Sequence, residues 1–299
     1  MTIPITTILG RRVPEGVERN ADLSGKHSLG LQCRAWALGE AESPEHLARL
    51  IAWAENENKR WRVIGGGTNI FFANDQVDAV VIRLGRAFLG ASIDVERGVL
   101  RCGASTTWRP LIMMARAEGF GGLEYGWRIP GTIGGALAGN AGAAGRAICE
   151  DVIRVRAMSA RGEIREFLQK EIQYEYRRSS LGEWIILNAE LRLEPATYEE
   201  IDEKLAKMDL MRETQPRGIR SAGCFFRNPA PDAPAGRLID ECGLKGANEG
   251  QAAVSDVHAN FLVNRGGATP AEMLKLMHRV RSSVMERAGL WLQPEVRMI

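Results

Sequence analysis

The sequence predicts an α+β protein, and three observations carry that reading. Through residue 195, short strands and a few helices follow one another without regular βαβ alternation. Neither G-x-G-x-x-G nor G-x-x-x-x-G-K-[ST] occurs, which removes the Rossmann and P-loop folds. Residues 119–151, GFGGLEYGWRIPGTIGGALAGNAGAAGRAICED, hold ten of the chain's 33 glycines. Ordering so many glycines costs much backbone entropy. The backbone itself is wanted there, either by a closely approaching ligand or by a tight crossover of chain segments.

In chain order, residues 1–22 show no periodicity and read as an arm. A first strand is expected within Leu23–Cys33. Ser43 then Pro44 start a helix whose buried stripe is Leu47, Leu50, Ile51 and Ala54. Arg62–Ile64 is a strand running into a triple-glycine loop. Ala79–Leu84, Ser92–Val95 and Val99–Gly103 are further strands, and Trp108–Glu118 is a helix that stops at Gly119. After the glycine-rich stretch come a hairpin, Val152–Met158 with Glu163–Phe167, and the strand Ile185–Leu193. Pro195 opens a linker and Tyr198–Glu213 is helical. A second domain follows, in which Ala252–Val263 should hold a strand. Thr269, Pro270 and Glu272 form a capping box ahead of the stripe Met273, Leu274, Met277, Val280 and Val284, and Gly289 ends that helix. LWLQPEVRMI closes the chain as a strand with Glu295 among apolar neighbours.

Composition narrows the function. With 299 residues, 45% hydrophobic, the chain can bury a sizeable core, and a net charge of +2 is too small to argue for a nucleic-acid surface. No signal peptide and no apolar run long enough for a bilayer are seen. The five cysteines, Cys33, Cys102, Cys149, Cys224 and Cys242, are widely spaced without a C-x-x-C pair, and the histidines show no ligand spacing, so no metal is expected. A reducing cytoplasm is the simplest home.

The ligand reading of the glycines is strengthened by a second cluster. In RVIGGGTNIFF, residues 62–72, an apolar strand enters Gly65, Gly66 and Gly67, followed by Thr68 and Asn69, whose side chains can donate to phosphate or carbonyl oxygens. Gly131, Gly134 and Gly135 are spaced so that successive backbone N–H groups can face outward. Two cradles imply one long ligand.

The blocks VIGGGTN, GLEYGWRIPGTIGGALAGNAGA, YEYRRSS, SAGCFFRNP, LIDECGLKGA, VSDVHANFLVN and LQPEVRMI, in this order and spacing, resemble the UDP-N-acetylenolpyruvoylglucosamine reductase family from about residue 23 to the end. The resemblance implies an FAD-binding fold of the vanillyl-alcohol-oxidase type, with two α+β subdomains over residues 23–205 holding the flavin. A substrate domain would span 206–299. It implies FAD contacts at Ile64, Gly65, Gly66, Gly67, Thr68, Asn69, Ile70, Pro130, Gly131, Thr132, Gly134, Gly135, Asn140, Ala141, Gly142 and Ile148. No histidine stands beside the first glycine loop in the sequence, so the FAD would be non-covalent.

In that family NADPH reduces FAD, and the reduced flavin delivers hydride to an enolpyruvyl double bond. The resemblance implies that Arg177 and Glu295 stabilise the carbanion formed beside the substrate carboxylate and that a proton donor sits at position 224. The family's serine is replaced there by Cys224. A guanidinium is worth more as charge spreads into the enolate, and Glu295 in apolar company could act as a neutral acid. A thiol of unperturbed pKa about 8.5 stays mostly protonated at neutral pH. Tyr176, Arg217, Arg227 and Asn228 are the substrate-binding candidates, Asn228 for the diphosphate. Two other departures are Arg128, usually glycine, and Ala144, often tyrosine. The substrate would be a small molecule, UDP-N-acetylglucosamine enolpyruvate, with no nucleic-acid or membrane partner and a monomeric protein. An oxygen-using FAD oxidase of the same fold and a flavin-binding protein without catalysis stay open as rivals. The oxidase would reoxidise in air without substrate, and the binder would show no turnover with NADPH.

Overall fold

The computed structural model describes residues 13–299. The chain divides into two units interleaved along the sequence. The first is built from Ala37–Gly66 and Ala79–Arg212 together with residues up to Glu18, and the second from Arg19–Trp36, Gly67–Asp78 and Glu213–Ile299. Part of the predicted arm, residues 1–12, lies outside the described residues. The rest of it is not an arm: Val17–Asp22 is a strand whose one buried side chain is Ala21, so VERNAD carries no alternating apolar signal. It belongs to a sheet in the order Val17–Asp22, Arg34–Ala41, Gln76–Leu84, Arg60–Ile64, the last two paired in parallel.

The first unit is centred on a five-stranded antiparallel sheet in the order Ile164–Leu168, Val152–Met158, Ile185–Arg192, Val99–Gly103, Ala91–Asp94. Trp108, Leu111, Ile112 and Ala115 of the helix Trp108–Ala117 bury against it, as do Ile133 and Leu137 of the short helix Ile133–Ala138. The helix Pro44–Asn56 begins as its sequence requires, with Ser43 Oγ accepting from His46 N–H at 3.1 Å.

The second unit packs the helix Pro270–Ala288 on a small sheet ordered Arg220–Ser221, Leu262–Asn264, Ala252–Val254, Asn248–Glu249. Thr269 and Glu272 cap that helix reciprocally, and Gly289 ends it in the left-handed conformation at φ 67°. Met273, Leu276, Met277, Val280 and Val284 are buried with Leu29, Leu31, Phe71 and Phe225.

No strand forms over Leu23–Cys33, contrary to the expectation. Leu29, Leu31 and Cys33 do alternate inward, but the backbone turns at Gly30, φ 57°, and its carbonyls bond to a side chain rather than to a neighbouring strand. Asn264 Nδ2 donates to Leu29 O at 2.9 Å and Gly30 O at 3.0 Å, while its Oδ1 accepts from Gly266 N–H at 2.8 Å and Ala268 N–H at 3.0 Å. One amide therefore joins two loops. Asn264→Leu would strand Leu29 O and the Ala268 N–H, both buried, while Gly30 O keeps Arg220 Nη1 at 3.3 Å and the exposed Gly266 N–H can turn to water. At roughly 1–2 kcal/mol per stranded group, unfolding in urea should show a loss of about 2–4 kcal/mol. A loss under about 1 kcal/mol would mean the loops are held by packing.

Candidate functional site

The strand Arg60–Ile64 delivers the chain, with Ile64 buried, into Gly65 and Gly66, both exposed. The second glycine segment lies beside them: a β-carbon on Gly65 would stand 2.5 Å from Thr132 Oγ1 and 3.8 Å from Gly135 Cα. With Gly135 also exposed, the two loops present one stretch of accessible backbone. The outward row of amides is corrected, however. Ile133 N–H donates to Thr106 O at 2.8 Å and Gly134 N–H to Ala104 O at 2.9 Å, while Gly135 N–H reaches Thr132 Oγ1 at 3.4 Å. A β-carbon at Gly134 would meet Ala104 Cβ at 3.0 Å and Ala104 O at 3.1 Å. Gly134 is thus small for close packing of its own chain, and Gly134→Val would test packing rather than ligand binding.

Asn140 organises the next part of the segment. It is only 4% exposed and left-handed at φ 45°. Its Nδ2 donates to Glu175 O at 3.0 Å, its Oδ1 accepts from Cys149 N–H at 3.2 Å, and nearby Ile148 N–H donates to Ala141 O at 3.0 Å. Glu175 leads into the two-residue turn Tyr176-Arg177 that joins the short strands Tyr174–Glu175 and Arg178–Ser179. Arg177 is itself left-handed, φ 58°, and its Nη1 donates to Gly142 O at 3.0 Å. Tyr176 is 57% exposed, with the Arg177 guanidinium carbon 5.3 Å from its ring centroid. Asn140, Ala141, Gly142, Ile148, Tyr176 and Arg177 are thereby assembled in one place. Ala144 is also left-handed at φ 53°. Non-glycine residues rarely adopt that conformation, and their clustering marks a backbone shape set by more than local preference.

A buried carboxylate anchors the neighbouring Gly142–Ala147 hairpin. Asp151, nearly buried, accepts from Tyr125 Oη at 2.7 Å and from Arg146 Nη2 at 2.6 Å. Burial raises the Asp151 carboxyl above its ordinary range, against the opposing pull of its two donors, and burial pushes the Tyr125 phenol well up. Arg146 lies in the strand Arg146–Ala147 that pairs with Gly142–Ala143, so the triad holds the turn on which Ala144 sits.

Arg128, just ahead of Pro130, Gly131 and Thr132, stands at φ 60°, which explains why glycine suits this position. Its Nε pairs with Asp209 Oδ1, and Trp127 Nε1 donates to the same oxygen at 2.9 Å. The two charged side chains are 47% and 40% exposed. Such a pair contributes about 0–1 kcal/mol, whereas the left-handed conformation costs an L-residue roughly 1–2 kcal/mol. The ion pair by itself does no more than offset that strain.

In the second unit, Cys224 is half-buried against Ala253, Phe261 and Val263. Asn260, 2% exposed, holds the segment after it: its backbone oxygen accepts from Phe225 N–H at 2.7 Å, its Oδ1 from Phe226 N–H at 2.9 Å, and its Nδ2 donates to Phe226 O at 2.8 Å. From the other side Glu295 N–H donates to Phe225 O at 2.8 Å and Arg227 N–H to Gln293 O at 2.9 Å. Asn69 joins through its carbonyl, which accepts from Arg297 N–H at 3.0 Å, and its Nδ2, 3.5 Å from Glu295 O. Ile70 is buried, pairing with Arg297 in parallel. Cys224, Glu295 and Asn69 therefore stand on adjoining backbone segments. Asn260 escapes sequence reasoning because the two polar residues of HANFLV, His258 and Asn260, give too short a pattern to mark one as structural.

Asn228 Oδ1 accepts from Ala235 N–H at 3.0 Å, which uses the oxygen and leaves the amide NH2 for an acceptor such as phosphate. Burial, with the nearby charge of Arg227, holds the Arg297 guanidinium below its usual range. Arg217 is exposed in irregular chain ahead of the strand Arg220–Ser221. A histidine absent from the first glycine loop in sequence is present in space: a β-carbon on Gly67 would lie 2.7 Å from His27 Cα. His27 is buried and its Nδ1 has no hydrogen-bond partner among the described residues.

Exposed glycine backbone along two adjoining loops, followed by the Asn140–Gly142 turn and an arginine, fits an extended anionic cofactor that needs close approach to main chain. Known proteins agree. Residues 37–168 match a family model described as an FAD binding domain, and residues 215–299 match one described as UDP-N-acetylenolpyruvoylglucosamine reductase, C-terminal domain. The UDP-N-acetylenolpyruvoylglucosamine reductase of Geobacter metallireducens is 40% identical over 258 residues, covering 85% of this chain and 84% of the relative. That of Heliobacterium modesticaldum is 39% identical over 257 residues, covering 85% and 81%. The crystal structure of UDP-N-acetylenolpyruvylglucosamine reductase (MurB) from Thermus caldophilus superposes with a TM-score of 0.81 at 34% identity, over 94% of this chain and 98% of that one. Fold and matches together define an FAD-dependent oxidoreductase: an α+β flavin-binding fold followed by a C-terminal domain. Within that class, the chain belongs to the UDP-N-acetylenolpyruvoylglucosamine reductase family.

Proposed function

We propose that this chain reduces the enolpyruvyl group of UDP-N-acetylglucosamine enolpyruvate to give UDP-N-acetylmuramate, with NADPH as the electron source and a dissociable FAD. Bound FAD supplies a two-electron relay that accepts hydride from NADPH and passes it to the substrate double bond. The observation that carries this reading is Arg177, held left-handed on its turn with Nη1 on Gly142 O, beside the glycine segment that suits the flavin.

The chain's own residues supply the rest. Gly65, Gly66, Thr68, Pro130–Thr132, Gly135 and Asn140–Gly142 hold the cofactor through backbone and short polar side chains. Arg177 faces the substrate carboxylate, and its planar fork stabilises the charge that develops beside that carboxylate as hydride arrives. Glu295 supports the same charge, and Cys224 delivers a proton from Sγ to the carbanion carbon. Asn228, through its NH2, with Arg227 and Arg217, binds the diphosphate, and Tyr176 lies against the substrate.

The test is spectroscopic. The purified protein is expected to be yellow, to bleach anaerobically with NADPH, and to regain its colour on addition of UDP-N-acetylglucosamine enolpyruvate. Recovery only on admission of oxygen would favour an oxidase instead. Acid precipitation should release all the flavin to the supernatant, and colour retained in the pellet would point to His27 as a covalent attachment.

A further inference from the structure

Arg128 presents a physical puzzle. It occupies a backbone conformation that glycine adopts freely, and it is held there by a half-exposed ion pair with Asp209 that barely offsets the strain. Asp209 is itself poorly placed, in the last turn of the helix Tyr198–Met211, where the helix dipole disfavours an acid. Trp127 adds its indole N–H to the same carboxylate oxygen at 2.9 Å, and Arg109 lies over the Trp127 ring at 5.7 Å. Four side chains thus converge on a half-exposed clasp around one left-handed residue. What the clasp does is fasten the residues immediately before Pro130, Gly131 and Thr132 to a helix.

We propose that Arg128 is a positioning residue that sets the Ile129–Thr132 segment in advance for FAD, so that the cofactor does not bear the entropy of ordering it. A glycine at 128 would allow the turn but also every other conformation, whereas arginine clasped to Asp209 allows one. The inference rests on the reading that Pro130–Thr132 lies against the flavin.

The experiment compares Arg128→Gly, Asp209→Asn and the charge swap Arg128→Asp with Asp209→Arg as purified holoproteins. Flavin release on dilution, followed by its fluorescence, is read beside thermal unfolding of the flavin-free proteins. Arg128→Gly is expected to speed FAD release about tenfold, the scale of one or two backbone residues left unordered, while its flavin-free protein unfolds at or above the parent temperature. Asp209→Asn should speed release similarly, and the charge swap should return it to within about threefold of the parent. Stability and flavin retention moving in opposite directions is the signature that a merely structural ion pair cannot give. Parent-like release from Arg128→Gly, or unfolding temperatures that fall along with flavin retention, would overturn the inference. Thr132→Ala separates the two ways of failing. If it speeds release while Arg128→Gly does not, the flavin lies where expected and only the role of Arg128 is lost; if neither changes release, the placement of the flavin against Pro130–Thr132 fails with it.

Discussion

Replacing Cys224 by alanine is expected to leave the anaerobic bleaching of bound FAD by NADPH at the parent rate while slowing reoxidation by substrate roughly 10²- to 10⁴-fold. In the proposed reaction the first half-reaction transfers hydride to flavin and needs no proton from the enzyme, whereas the second ends with a carbanion that must receive one. Serine at 224 fits the same half-buried space and carries a proton, so Cys224→Ser should recover much of the rate. Alkylation should inhibit the same half-reaction, with substrate protecting. Selectivity is built in: burial pushes the Cys33 and Cys102 thiols up to about 12 and Cys149 up to about 11, out of reach of neutral-pH alkylation. Cys242, half-buried, is the one to remove in a Cys242→Ser background. Reoxidation at the parent rate in the alanine variant would make Cys224 a packing residue against Phe261 and Val263.

The second large effect concerns Arg177. Arg177→Lys keeps the charge but loses the planar fork that donates to Gly142 O and, in the proposed role, also holds the substrate carboxylate. Turnover should fall by about 10²-fold or more, the scale of removing one donor to a developing oxyanion, with a much smaller rise in the Michaelis constant. A change confined to the Michaelis constant would reassign Arg177 to ground-state binding.

The helices and the central sheet are legible in the sequence because their signals are local. The Thr269/Glu272 capping box, the stripe from Met273 to Val284 and the Gly289 stop all act within the helix they define. Leu23–Cys33 misleads because Asn264, 235 residues beyond Leu29, replaces the ladder that an alternating strand would need. Of the site, residue types are legible but not their bonding. Glycine spacing points to accessible backbone, yet it cannot reveal that the Ile133 and Gly134 amides are taken by Thr106 and Ala104. Arg128 can be seen as a departure, whereas its left-handed backbone and its distant partner Asp209 cannot.

The interleaving of the two units has a consequence for how the protein is made. Asn264 secures the Leu29 loop across 235 residues of chain. At about 5–20 residues per second, synthesis spends roughly ten to fifty seconds between them. Throughout that interval Leu29 and Leu31 have been synthesised, but the helix Pro270–Ala288 that covers them does not yet exist. The first unit can close in the meantime; the second must keep its earliest apolar residues waiting, and that delay is when this chain is most exposed to aggregation.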